Sequence, residues 1–166
     1  MSHAMTNRAR YLLPIDDSER TRRAVDYVAR HGAGAEVTLL HVGPIPPELV
    51  EHPGAEDPER EERLEQRVAE RSRQYDQELA EQMHEELFAA PKAKLSSLGL
   101  TVREKVITEP HPDPARAIVA EMEAGSYDEV ILGREEAGRV KELFLPRDVA
   151  KNVDKKLDDD RVTIVD

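Results

Sequence analysis

The 166-residue chain contains no cysteine, which removes disulfides, thiolate nucleophiles and thiolate-bound zinc or iron–sulfur clusters from consideration. Aromatic side chains are also scarce, two Phe and four Tyr, too few to stack successive bases of a nucleic acid. Basic residues are outnumbered, 24 against 35 acidic, and the formal charge of −11 repels a phosphate backbone. Nucleic acid is thereby excluded as the expected partner. No run of about 18 apolar residues is present to span a bilayer, and the first residues lack the apolar stretch of a secretory signal. The expectation is a cytoplasmic protein without a membrane partner. An acidic surface is also one way to stay soluble in high salt, so a halophilic source fits the composition.

What is present reads as one domain. The length suits a single core, with residues 1–9 a flexible N-terminus or tag remnant and residues 10–166 the domain. Tyr11 to Ile15 is a short apolar run closed by Asp16-Asp17-Ser18, after which Ala24, Val25, Val28 and Ala29 recur with helical spacing. Asp17 or Ser18 caps that helix, and Gly32 and Gly34 end it. Glu36 to Val42 is nearly continuous in apolar residues, as a strand covered on both faces should be. The stretch from Gly43 to Pro58 holds five of the eleven prolines and reads as a loop.

From Glu59 to Ala90 there is neither Gly nor Pro, and Leu64, Val68, Tyr75, Leu79, Met83 and Leu87 share one side of a predicted long helix. Pro91 is expected to kink or end it. Such a helix outruns a typical strand, so its first half, Glu59 to Arg73, should overhang the sheet. Between Glu56 and Ala90 twelve acidic residues face five basic ones, which makes this segment the main source of the charge. Leu64 and Val68 on the overhang would need cover, so the helix is also a candidate surface for a protein partner. Leu100 to Ile107 is the third strand, Asp113 and Pro114 open the next helix, and Val130-Ile131-Leu132 with Gly133 form the fourth strand. A helix around Leu143 to Leu157 precedes the last strand, Arg161 to Val165. Five strands alternating with helices predict a doubly wound α/β fold with a parallel sheet.

In such folds ligands bind beyond the carboxyl ends of the strands where strand order reverses. The loops at Pro14 to Ser18 and at Gly133 to Arg147 are the candidates. Their order and context resemble the universal stress protein family over Arg10 to Asp166. Tyr11 to Glu19 resembles its opening strand and turn, Leu39-Leu40-His41-Val42 its second strand, Asp113-Pro114-Ala115 with Ile118 its third helix, and Asp128 to Gly133 its fourth strand. The resemblance implies an adenine nucleotide alpha hydrolase-like fold with strand order 3-2-1-4-5, a stress-linked regulatory role, and a homodimer paired through Val162, Thr163, Ile164 and Val165.

It also implies a test for nucleotide. ATP-binding members of the family carry G-x2-G-x9-G-[ST] after the fourth strand, where glycines let backbone N–H groups approach phosphates. Registered on Gly133, the remaining positions here are Glu136, Pro146 and Arg147. Asp17 also replaces the family's glycine, whereas Asp16 keeps the acidic position beside the adenosine. No cofactor is expected on this reading. The alternative is ATP or AMP held by Pro14, Asp16, Val42, Gly133, Arg134, Arg139 and Arg147, with arginine forks in place of the glycine loop.

Other chemistry finds little support. Asp16-Asp17 suits Mg²⁺, but a phosphoacceptor site would need an aspartate after a neighbouring strand, where the chain has His41-Val42-Gly43 and Thr108-Glu109-Pro110. The six histidines never fall at i,i+3 or i,i+4 spacing, so no metal pair is expected. No catalytic residue is assigned.

Overall fold

The computed structural model describes residues 8–45, 57–134 and 149–166. Strand β1, Arg10–Pro14, leads through Ser18 into helix α1, Glu19–His31; the Ser18 hydroxyl accepts the Thr21 N–H at 3.3 Å and caps the helix. Strand β2 spans Glu36–Pro44. Helix α2, Pro58–Met83, continues without a break into a π-turn, His84–Phe88, and helix α3, Ala89–Ser97. Strand β3, Thr101–Glu109, helix α4, Pro114–Ala124, and strand β4, Glu129–Gly133, follow. Asp113 caps α4 by accepting the Arg116 N–H at 3.2 Å, with Pro114 in the first turn as the spacing predicts. Helix α5, Val149–Lys156, a short 3₁₀ turn and strand β5, Val162–Val165, complete the described elements.

All strand pairs are parallel, and the sheet order is β3-β2-β1-β4-β5. Alternation along β1 sends Leu13 to one face and Leu12 to the other, both fully buried. One core joins Leu13, Val37, Leu39 and Ile131 to α1 and to Met83, Phe88 and Leu95; the other joins Leu12, Leu40, Val130 and Leu132 to α4 and α5. Helices on both faces explain why the central strands are apolar without interruption.

Pro91 does not end the long helix, the second of the two outcomes expected of it. The chain stays helical through Pro91 to Ser97. The reason lies just upstream, where the Ala89 N–H bonds the His84 carbonyl five residues back. Pairing has widened there, and Pro91 falls in the first turn of the α-helix that resumes at Ala89, where a missing N–H costs less than in a helix interior. Glu104 of β3 holds this region from outside, bonding both His84 and Lys92. The overhang matches its prediction. Met83 is the one buried residue of α2, and Tyr75 donates its hydroxyl to the carbonyl of Pro44, the last residue of β2, at 3.2 Å. Residues 58–74 thus precede the helix's hydrogen bond to the end of β2 and make an arm of about 25 Å. Leu64 and Val68 on that arm are half-buried and belong to neither core. No described helix is long and apolar enough to cross a membrane.

Candidate functional site

Strand order reverses beside β1, so the crevice above β1 and β4 is where this fold offers a site. On the β1 side the backbone leaves the sheet after Pro14, with the Ile15 N–H bonded to the Leu40 carbonyl at 2.8 Å. The next residue, Asp16, is buried, and its carboxylate is taken up by its own chain. Oδ2 accepts Arg20 at 2.9 Å, and Oδ1 accepts the hydroxyls of Thr21, at 2.6 Å, and of Ser18. Its N–H in turn donates to the Thr21 hydroxyl at 3.1 Å. Burial of the carboxylate is thus offset by a cation and two hydroxyls. Ser18, rather than Asp17, caps the helix.

On the β4 side Gly133 meets the first turn of α1 so closely that a Cβ would stand 2.1 Å from the Arg20 carbonyl oxygen. Arg134 is turned to the sheet edge: its N–H bonds the Val165 carbonyl at 2.6 Å and its guanidinium meets Asp166 at 2.6 Å. Arg23 of α1 donates to the Arg134 carbonyl at 2.6 Å. The crevice left among Pro14, Arg20, Thr21, Leu132, Gly133, Val149 and Ala150 has a volume of about 10 Å³, room for about one water. Arg139 and Arg147, together with Glu136 and Pro146, lie outside the described residues.

Val42 packs with Ile107 against the core on the α4 face. Beside it, His41 hydrogen-bonds the Ile15 backbone; burial holds its pKa below the usual 6.5, outweighing that bond and the nearby Asp16 charge. His111 is exposed. Among the described residues no group of three or more His, Asp or Glu is arranged to hold a metal. Sequence reasoning missed the Asp16–Arg20 pair, although their i,i+4 spacing was the available signal. It also missed a polar network under the sheet, in which Glu121 accepts both Lys105, at 2.8 Å to each oxygen, and Tyr127, at 3.0 Å. Residue spacing alone carried no sign of it.

The last strand forms one sheet edge. Because the Val165 carbonyl faces β4, alternation turns the N–H groups of Val162 and Ile164 outward and that of Thr163 inward.

These features define a doubly wound α/β domain whose strand-end crevice is framed by β1 and β4. The chain belongs to the universal stress protein family, whose model matches residues 8–157. Among solved structures it is similar to the hypothetical protein MJ0577, at 26% identity and a TM-score of 0.58 over 95% of each chain. A universal stress protein from Archaeoglobus fulgidus shares 16% identity at a TM-score of 0.56, covering 95% of this chain and 93% of its own. A universal stress protein solved in complex with cAMP shares 15% at 0.55, covering 95% and 96%. The last two likenesses are of fold alone. No curated protein matches significantly.

Proposed function

We propose that this stress-protein domain works as a homodimeric regulatory module, paired through β5, that does not grip ATP in the manner of the family's nucleotide-binding members. The observation that carries the nucleotide half is Gly133. Its open side is filled by the Arg20 backbone, Arg134 is turned to the sheet edge beside Asp166, and Glu136, Pro146 and Arg147 stand where the resemblance calls for glycines and a hydroxyl. Proline offers no N–H and glutamate repels a polyphosphate. Calorimetric titration with ATP, with and without Mg²⁺, tests this half and should give no saturable heat up to millimolar ligand. AMP and cAMP belong in the same series, since one structural relative was solved with cAMP. Saturable binding of any of the three favours the arginine-based alternative.

The dimer half rests on the contrast between the two sheet edges. The middle of β3 carries Arg103, Glu104 and Lys105, charges that discourage edge pairing, whereas Val162 to Val165 carry none. A twofold copy of β5 closes that edge. Ile164→Pro removes an outward N–H and should convert a dimer to a monomer in sedimentation velocity. Proline at Thr163 would instead cut the ladder to β4. An unchanged dimer in Ile164→Pro moves the interface away from this edge.

A further inference from the structure

From the loop after β1, a groove of about 420 Å³ runs between α1 and the π-turn with α3. Its floor is apolar: Ile15 and Val25 are buried, and Leu87 and Pro91 form the far wall. The Lys94–Asp26 ion pair, which joins the two helices, also lines it. Ala90 lines the groove with a single methyl group, so the described side chains there leave the space open.

Charge around the groove is unbalanced once the existing pairs are matched. Arg22 stands 3.6 Å from Glu19, Lys94 is with Asp26, and Asp16 is neutralised by Arg20. Asp17, in the loop before α1, and Glu86, in the π-turn, remain without a cation among the described residues. Glu86 accepts only the Gln82 side-chain amide, at 3.2 Å. The groove thus offers an apolar floor with two carboxylates on separate walls, in a chain whose net charge of −11 draws cations.

We propose that this groove binds an organic ammonium, an amine carried on a compact apolar body. The body replaces water over Val25, Leu87 and Pro91, and the ammonium meets Glu86 and Asp17. The volume falls in the range of small-ligand pockets, which combine an apolar lining with a few polar groups. The groove borders the β1 side of the β1/β4 crevice, sharing Thr21 with it and touching Asp16, but opens between α1 and α3 and is independent of pairing at β5.

The test uses 2-phenylethylamine against 3-phenylpropionate, which presents a similar ring with the opposite charge, in amide chemical-shift titrations of the full chain. The amine is expected to give saturable shifts confined to residues 15–26 and 86–94, with a dissociation constant on the order of 1 mM for so small a ligand. Glu86→Gln should weaken it about two- to fivefold, the worth of one solvent-exposed ion pair. Ala90→Trp, at an exposed helical position, should fill the groove and abolish binding. Should that variant fold poorly, the Asp17→Asn/Glu86→Gln double variant serves as the same control for charge. No saturable shifts with the amine, equal binding of the propionate, or amine binding that survives both control variants would each overturn the proposal.

Discussion

Replacing Gly133 by alanine puts a methyl group 2.1 Å from the Arg20 carbonyl oxygen, 2.5 Å from its carbon and 2.7 Å from Arg20 Cβ. Carbon contacts settle near about 3.5 Å, so the first turn of α1 has to retreat by about 1 Å. Overpacking of this kind costs about 1–3 kcal/mol. The retreat also draws Arg20 away from Asp16 and Thr21 away from the Ser18 cap, itself worth about 1 kcal/mol. A total of about 3 kcal/mol is expected, which for a chain of this size lowers Tm by about 6–12 °C. Thermal and urea unfolding followed by far-UV circular dichroism measure it, with the urea midpoint falling at unchanged slope. A loss below about 0.5 kcal/mol, the range of an ordinary surface substitution, would show that α1 does not rest on Gly133. The family resemblance attributes a glycine here to close approach of a phosphate. The geometry supplies a second reason that operates with no ligand at all.

Arg20→Gln removes the cation paired with the buried Asp16 carboxylate and should cost about 3 kcal/mol at neutral pH. Adding Asp16→Asn should recover part of that loss, whereas strictly additive losses in the double-mutant cycle would mean the pair is not coupled. His41 gives a pH signature. Its folded pKa lies below the ordinary 6.5, so below about pH 6.5 the unfolded chain binds a proton that the folded chain does not. Stability therefore falls on acidification from about pH 6.5 down to the folded pKa, and His41 adds no further slope beyond it. In urea melts across this window His41→Gln should show a shallower decline; parallel curves for the two proteins would refute the assignment.

Much of the fold was legible because its signals are local. The apolar run at Tyr11 to Ile15, the cap at Asp17 or Ser18, the Asp113-Pro114 start and the alternation of strands with helices each depend on a few neighbouring residues, and each appears in the region where it was read, the cap falling to Ser18. The overhang was legible too, since a helix longer than a strand has to project somewhere. That Pro91 does not end the helix has a different origin. A proline ends a helix when its ring meets regular α-pairing, and the π-turn that changes the pairing is braced by Glu104, twelve residues beyond Lys92 and on a separate element. Gly133 is similar: its close neighbour Arg20 lies on a helix over a hundred positions away, so sequence alone suggested a ligand instead of a packing contact. Asp16 sits between these cases. Its position after β1 marked it for attention, but only the folded backbone brings Ser18, Arg20 and Thr21 together around one carboxylate.

The π-turn also has a consequence for inheritance. A turn of five-residue pairing carries one residue more than the α-turn it replaces. The wide turn covers nearly the same rotation and rise as the α-turn it replaces, so it absorbs the extra residue where it stands. Loss of a single codon between His84 and Phe88 would therefore return the helix to uniform winding while leaving Leu64 and Val68 facing nearly the same way. A codon lost from the regular turns between Val68 and Met83 would instead swing both side chains about 100° around the axis. The π-turn is thus a place where the chain can change in length by one residue without turning the arm.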